Sequence, residues 1–225
     1  MRSYLTIKQA GNFEIDIKKS QFICNIARTE TKEEAEEFIT QIKKEHSSAT
    51  HNCYAYVLGM DNEVMKQNDN GEPSGTAGAP ILNVLEQLEL RNVTAIVTRY
   101  FGGIKLGAGG LIRAYSNATS KAIEHIGVNQ RQPQTESTLT IAYPLQGKLE
   151  HFLAKQQIQT VDTQYTDKVS LTIALNTTEY DEKVSLINDF LNAQVTITKG
   201  PVTITKGPEV YHEIPYDLTD KKARY

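Results

Sequence analysis

Arg99-Tyr-Phe-Gly-Gly-Ile-Lys-Leu-Gly-Ala-Gly-Gly110 joins two stretches of opposite periodicity. Before it, residues 93–97 are a short β-branched run that reads as a strand; after it, Leu111, Tyr115, Ala118, Ala122 and Ile126 recur at helical spacing and stop at Gly127. A strand passing through a glycine-rich turn into a helix commits this region to mixed α and β structure, and the alternation extends both ways. Upstream, Ile81, Leu82, Val84, Leu85 and Leu88 mark another helix, preceded by a polar loop at residues 67–73. Residues 51–58 place Cys53, Ala55 and Val57 on one strand face and Tyr54, Tyr56 and Leu58 on the other, as in a central strand. Thr31 and Glu34 form a capping box ahead of the stripe Ala35, Phe38, Ile39 and Ile42, a helix opened by acids and closed by Lys43, Lys44 and His46. Residues 13–17 and 21–26 alternate around Lys18-Lys19-Ser20 and read as a strand pair.

Downstream, residues 128–136 are polar, aperiodic and contain Pro133, the marks of a linker, so the expected domains are 1–130 and 131–225. Beyond it come a strand (Leu139, Ile141, Tyr143), a helix (Leu145, Leu149, Phe152, Leu153) and two strands around Thr166-Asp167-Lys168. A second helix (Val184, Ile187, Leu191) and a last strand follow. That order, βαββαβ, predicts a ferredoxin-like domain. In the last strand region Val195-Thr-Ile-Thr-Lys-Gly-Pro201 is repeated letter for letter as residues 202–208. One copy is expected to complete the sheet and the other to be an edge strand, a hairpin arm or a tail.

With 225 residues, 39% hydrophobic and 23% charged, the chain can bury two modest cores or one large one. Residues 1–8 hold no apolar run like a signal sequence, and no stretch approaches the roughly 18 apolar residues of a membrane span. A cytoplasmic protein with no membrane partner is expected. Cys24 and Cys53 are too few for a disulfide framework and lack zinc-site spacing, so neither a metal nor another cofactor is expected. The net charge of -3 argues against a general nucleic-acid coat, yet residues 90–123 carry Arg91, Arg99, Lys105, Arg113 and Lys121 and no acid, a local +5. The acidic run at residues 30–45 reads as a solvated helix face.

Three segments hold more special residues than packing requires: His51-Asn-Cys-Tyr-Ala-Tyr56, Asp69-Asn-Gly-Glu-Pro-Ser-Gly-Thr-Ala-Gly78 and the glycine-rich stretch at 99–110. Together they resemble the signature of the YigZ/IMPACT family over roughly residues 15–127. The resemblance implies an N-terminal domain like ribosomal protein S5 domain 2 and a C-terminal domain like the last domain of elongation factor G. It also implies translational regulation in eukaryotic relatives. Asn70 departs from the pattern, which often has a second aspartate there, and weakens a metal or paired-carboxylate reading; Ala79 is a milder change.

Read chemically, Gly103, Gly107, Gly109 and Gly110 with Lys105 bring backbone N–H groups and a helix's positive end to one place, where a phosphate or other anion could settle. A tight turn with close helix packing is the structural alternative. The segment is not a Walker loop, because no Gly-Lys-Ser/Thr ends it, and not a dinucleotide fingerprint, because Ile112 stands where the third glycine belongs. Arg113, Asn117 and Lys121, spaced by four, share a helix face suited to a phosphate backbone, and Tyr100 and Phe101 either stack on a base or pack inside. In the acidic loop Asp69 and Glu72 are turn residues or, alternatively, a cation ligand and a general base or partner of Arg99. Ser74 or Thr76 caps the next helix. His51 and Cys53 share a strand face, and a buried Cys53 beside a hydrogen-bonded His51 is favoured over a nucleophile pair. The resulting expectation is a binding protein that contacts RNA, the ribosome or a translation factor through a basic, glycine-rich face including Arg99. The alternative is a hydrolase or phosphate-handling enzyme using Glu72, His51 and Lys105.

Overall fold

A computed structural model describes residues 2–195 and 203–219. Contacts divide the chain into two units: Tyr4–Arg131 joined by the described residues from 214 onward, and Gln132–Glu213 joined by residues 2 and 3. The two units therefore exchange terminal segments, where the sequence suggested a single cut at residue 130.

The first unit is built on a five-stranded antiparallel sheet. Its strands are β2 (Gly11–Ile17), β3 (Ser20–Arg28), β4 (His51–Leu58), β5 (Val64–Asn68) and β6 (Val93–Tyr100), in the order β2-β3-β6-β4-β5. One face, with Phe22, Cys24, Ile26, Cys53, Ala55, Val57, Val93, Ala95 and Val97, packs on α2 (Gly78–Gln87) and α3 (Ala108–Ile126). The other face, with Tyr54, Tyr56, Leu58 and Ile96, packs on α1 (Lys32–Glu45). Coverage on both sides is why β4 and β6 are buried along almost their whole length. α1 begins where the capping box places it: Glu34 N–H donates to Thr31 Oγ1 at 3.2 Å, while the Glu34 carboxylate accepts from the backbone N–H of Glu30 at 2.7 Å. β5 is exposed along its length, so no alternation announced it, and residues 67 and 68 are an edge strand rather than loop. β1 (Tyr4–Ile7) pairs with the start of β7 (Val128–Ile141), and Leu218 returns to the core of this unit.

In the second unit β7, α4 (Gln146–Lys155), β8 (Gln159–Tyr165), β9 (Val169–Asn176), α5 (Tyr180–Val195) and β10 (Thr203–Tyr216) give the expected βαββαβ order. The sheet order β10-β7-β9-β8 is that of a ferredoxin-like domain. Leu139, Ile141, Leu171 and Ile173 pack on Leu149, Leu153, Ile187 and Leu191 of the helices. Residues 128–136, expected as a linker, are instead the first part of the 14-residue strand β7. The reason is that between Val128 and Leu139 the buried positions are mostly polar, Asn129, Gln134, Thr135 and Ser137: Ser137 Oγ bonds Tyr180 Oη at 2.9 Å and Thr135 Oγ1 bonds Thr177 Oγ1 at 3.3 Å, so burial leaves no apolar period there. Pro133 falls between the residues paired with β1 and those paired with β9, where its missing N–H breaks neither ladder. Tyr143, expected in the strand, opens a 3-10 turn and is exposed. Of the repeated heptapeptides, the second lies in β10 from Thr203 and so completes the sheet beside β7. The first, from residue 196 onward, lies outside the described residues, and with it the expectation for that copy. Among the described residues no helix is long and apolar enough to cross a membrane.

Candidate functional site

Antiparallel register brings the three motif segments together at one end of the first unit's sheet. His51, at the start of β4, lies opposite Arg99, near the end of β6. The loop after β5 is drawn to the same end by backbone and side-chain bonds. His51 Nδ1 lies 2.9 Å from the Asn70 carbonyl, which can only accept, so Nδ1 carries the proton. Asn52 N–H donates to Asn70 Oδ1 at 2.8 Å, and the Cys53 thiol donates to the Asp69 carbonyl at 2.8 Å.

Asp69 organises this loop. One carboxylate oxygen accepts from the N–H of Ala77 (3.0 Å) and Gly78 (2.9 Å), the other from Gly75 (2.9 Å). Burial pushes its carboxyl up, but the three N–H bonds outweigh it and hold the group below its ordinary value. The capping role expected of Ser74 or Thr76 therefore belongs to Asp69, eight residues before Ala77: Thr76 Oγ1 donates to the Pro73 carbonyl, and Ser74 is exposed. With both oxygens engaged by N–H groups, Asp69 is poorly suited to ligate a cation. Among the described residues no cluster of three or more His, Cys, Asp or Glu is placed to hold a metal.

Glu72 is buried and occupied. Its Oε1 accepts from Arg99 Nη1 at 2.6 Å and from Tyr115 Oη at 2.8 Å, while Oε2 stands 3.8 Å from His51 Nε2. Arg99 itself is 5% exposed, with its guanidinium 5.4 Å from the Phe22 ring centroid and 5.3 Å from that of Phe101. This corrects the expectation that Arg99 belongs to an exposed electropositive face: its charge is neutralised by Glu72 and sunk into a pocket wall. Behind the pair, burial foremost pushes the Tyr115 hydroxyl far up, with Cys53 and Glu72 adding to it. Burial likewise pushes the Cys53 thiol up to about 12; a hydrogen bond with Tyr115 opposes this, and Glu72 and Asp69 add to it. A thiol so raised is no nucleophile at neutral pH.

In front of the ion pair is a pocket of about 440 Å³, lined by His51, Glu72, Arg99, Phe101, Lys105 and Gly107 among others. A neighbouring cleft of about 620 Å³ is lined by Lys18, Gly110, Arg113 and Asn117, and Leu106 borders both. The remaining candidates disperse. Tyr100 turns away, its hydroxyl 2.9 Å from His46 Nδ1. Arg113, Asn117 and Lys121 are all exposed, but Lys121 Nζ is paired with Glu124 at 2.9 Å. Gly103 and Gly109 are exposed in the loop and first helical turn without lining either pocket.

Residues 18–123 match the Impact N-terminal domain, and residues 139–194 match a domain of unknown function (DUF1949). IMPACT family member YvyE of Bacillus subtilis is 44% identical over 200 residues, covering 89% of this chain and 92% of that one. The chain belongs to the IMPACT family. IMPACT family member YigZ of Escherichia coli is 36% identical over 177 residues, 78% of this chain and 87% of that one. Protein IMPACT of Oryctolagus cuniculus is 33% identical over 93 residues, 40% of this chain and 29% of that one. A solved structure described only as a hypothetical protein superposes with a TM-score of 0.57 at 32% identity, covering 91% of this chain and 97% of that one.

Within this IMPACT-family unit the sequence reading passed over three residues. Tyr115 was a packing residue of a helical stripe, yet it links Cys53 to Glu72. Lys18 and Lys19 were the turn between two strands. They form a two-residue connection with φ of 46° and 66°, and Ile17 pairs with Ser20, the geometry of a type I′ turn, which favours Asn-Gly. A Cβ on Gly102 would stand 1.8 Å from the Lys19 carbonyl oxygen, and Gly102 N–H donates to Ser20 Oγ at 3.1 Å, so the lysine turn is pinned beside the glycine-rich loop. The signal was in the sequence: two charged, long side chains where a tight turn prefers Asn and Gly.

Proposed function

We propose that this IMPACT-family protein is a binding protein of the translation apparatus that holds structured RNA on the basic face formed by Lys18, Lys19, Lys105, Arg113 and Asn117. The observation that carries the reading is the lysine turn. Two non-glycine residues in the left-handed region cost roughly 1–2 kcal/mol each. That strain is retained where it projects two exposed cations beside Arg113 and Lys105, none of the four with an ion pair among the described residues. Lys18 and Arg113 line one cleft, Lys105 lines the neighbouring pocket and Lys19 shares the turn with Lys18, and free cations so spread suit phosphate contact rather than sequence readout. Resemblance of both domains to parts of the translation machinery supports the reading by analogy.

The test is RNA and ribosome binding across a salt series. Four phosphate contacts give a slope of log affinity against log salt of about -3 to -4, and Lys18→Glu or Arg113→Glu reduces its magnitude by about one. Lys18→Asn with Lys19→Gly relieves the turn, so it raises stability by about 1–2 kcal/mol while weakening RNA binding. Absence of binding at low salt, or a slope unchanged by these substitutions, overturns the reading.

One observation favours a second reading, a phosphate-handling hydrolase: His51, Glu72 and Lys105 line one pocket. Glu72 is held by Arg99 and Tyr115, so the base in such an enzyme is His51 through Nε2. Phosphoesterase screening decides, with activity required to vanish in His51→Gln while the fold is retained.

A further inference from the structure

We propose that the pocket in front of Arg99 binds a nucleoside phosphate monoester, the group presented by a free mononucleotide or by the phosphorylated end of an RNA. Two independent features converge on it. The first is the start of α3, a 19-residue helix whose N-cap, Gly107, offers no side chain to its first N–H groups and whose first turn has no acidic residue. These unmatched donors and the positive end of the dipole, equivalent to about half a charge, make an anion seat. The second is Arg99. Its side chain is 6% exposed, one nitrogen goes to Glu72, and Nε is buried with no partner among the described residues. Buried donors without acceptors are rare in folded proteins, and a functional group awaiting its ligand is one reason for them.

The pocket's remaining composition selects the kind of anion. Arg99 and Glu72 cancel, so Lys105 and the helix end leave an uncompensated positive charge of about +1.5, matched to a monoester of about -1.5 to -2 at neutral pH. A carboxylate or phosphodiester, at -1, is a weaker match. The rest of the lining is largely apolar, with Pro73, Leu106 and Leu111, so the phosphate arrives on an organic body rather than alone. Phe101 is 46% exposed at this pocket and has Arg99 against its ring, which makes it a platform for a planar base. A volume of about 440 Å³ lies within the usual small-molecule range of roughly 300–1,000 Å³. Such a site does not require the basic face to hold RNA, since α3 and Arg99 are positioned by the sheet and not by Lys18, Lys19 or Arg113.

Calorimetric titration of the full chain with adenosine 5′-monophosphate, adenosine and inorganic phosphate tests it. The monophosphate should bind at least tenfold more tightly than either of the others. Ala108→Asp places a carboxylate at the start of α3 on an exposed position, which suits the helix dipole and so preserves folding, but fills the anion seat; it should weaken the monophosphate at least tenfold. Phe101→Ala should weaken adenosine monophosphate severalfold and leave ribose 5-phosphate unchanged. Adenosine or inorganic phosphate binding as tightly as the monophosphate overturns the proposal, as does undiminished binding by a folded Ala108→Asp variant. A 5′-phosphorylated oligoribonucleotide compared with its 5′-hydroxyl form separates the sources. Preference for the phosphorylated oligonucleotide over the mononucleotide identifies an RNA end, equal binding a free nucleotide, and failure of both phosphorylated ligands to bind at millimolar concentration refutes the site. RNA binding lost in Arg113→Glu while the mononucleotide still binds leaves the pocket standing, and the converse leaves the basic face.

Discussion

Replacing Glu72 by glutamine keeps the shape of the side chain and an oxygen for Tyr115, but deletes the charge facing Arg99. Both side chains are nearly sealed, 4% and 6% exposed, with Nη1 and Oε1 only 2.6 Å apart. Removing one member of such a pair leaves the other buried and uncompensated, a loss of about 3–5 kcal/mol. Because Arg99 borders a pocket that water enters, the lower end applies, and about 3 kcal/mol is expected for Glu72→Gln. Arg99→Met strands the carboxylate with Tyr115 as its hydrogen-bond donor and should cost a similar amount. The double substitution removes both charges and retains the volume, so it should cost little more than either alone, giving a coupling of about 3 kcal/mol. Urea unfolding of the four proteins at pH 7 measures this directly. A coupling below about 0.5 kcal/mol, the level of independent sites, would show that water screens the pair and that its burial does not govern its energy.

Asp69→Asn should cost about 1.5–3 kcal/mol at pH 7, since the amide nitrogen cannot accept from Gly75. Asp69 is held below its ordinary value, so its contribution is complete above the unfolded value near 4 and is lost as pH falls through the folded one. The variant should therefore lose stability less steeply in acid. Gly102→Ala drives a Cβ into the Lys19 carbonyl and should destabilise by about 3 kcal/mol. Gly103→Ala, with φ of 86° but nothing within 4 Å, should cost only about 1–2, and equal losses in thermal or urea melts would refute the close approach. Cys24 and Cys53 are each raised to about 12, chiefly by burial, so their contribution is complete below the unfolded thiol value near 8.5 and fades as pH rises toward 12. Between pH 9 and 10 stability should fall by about 2.5 kcal/mol from the two thiols, and Cys24→Ala with Cys53→Ala should flatten that slope; a slope unchanged in the variant would contradict it.

The reading of the local elements rested on interactions within a few residues, and the sequence carries those in full. Thr31 with Glu34 starts α1, Gly127 ends α3, and the alternation in residues 51–58 makes β4 a central strand. The order βαββαβ likewise follows from periodicity alone. Local signals failed where burial was polar or absent: β5 is exposed throughout, and β7 hides Thr135 and Ser137 behind hydrogen bonds, so neither shows a hydrophobic period.

The candidate site divides along the same line. Residue types at 51–56, 69–78 and 99–110 were enough to name the segments, because glycines, a histidine and charged groups exceed what packing asks for. Of their partnerships, the sequence offered only that of Glu72 with Arg99, as one alternative for the carboxylate; which pairings form was not legible. Glu72 meets Arg99 across 27 positions and Tyr115 across 43, and Gly102 meets Ser20 across 82. Such pairings are set by the antiparallel register of β3, β4 and β6 and by where α3 leaves the sheet, and no local period encodes them. The sequence by itself determined which residues are cationic, and the tertiary structure decided which charges remain free. Arg99 is cancelled by a buried carboxylate and Lys121 by Glu124, while Lys18, Lys19, Lys105 and Arg113 stay exposed, because a charge's effect depends on its neighbours in space.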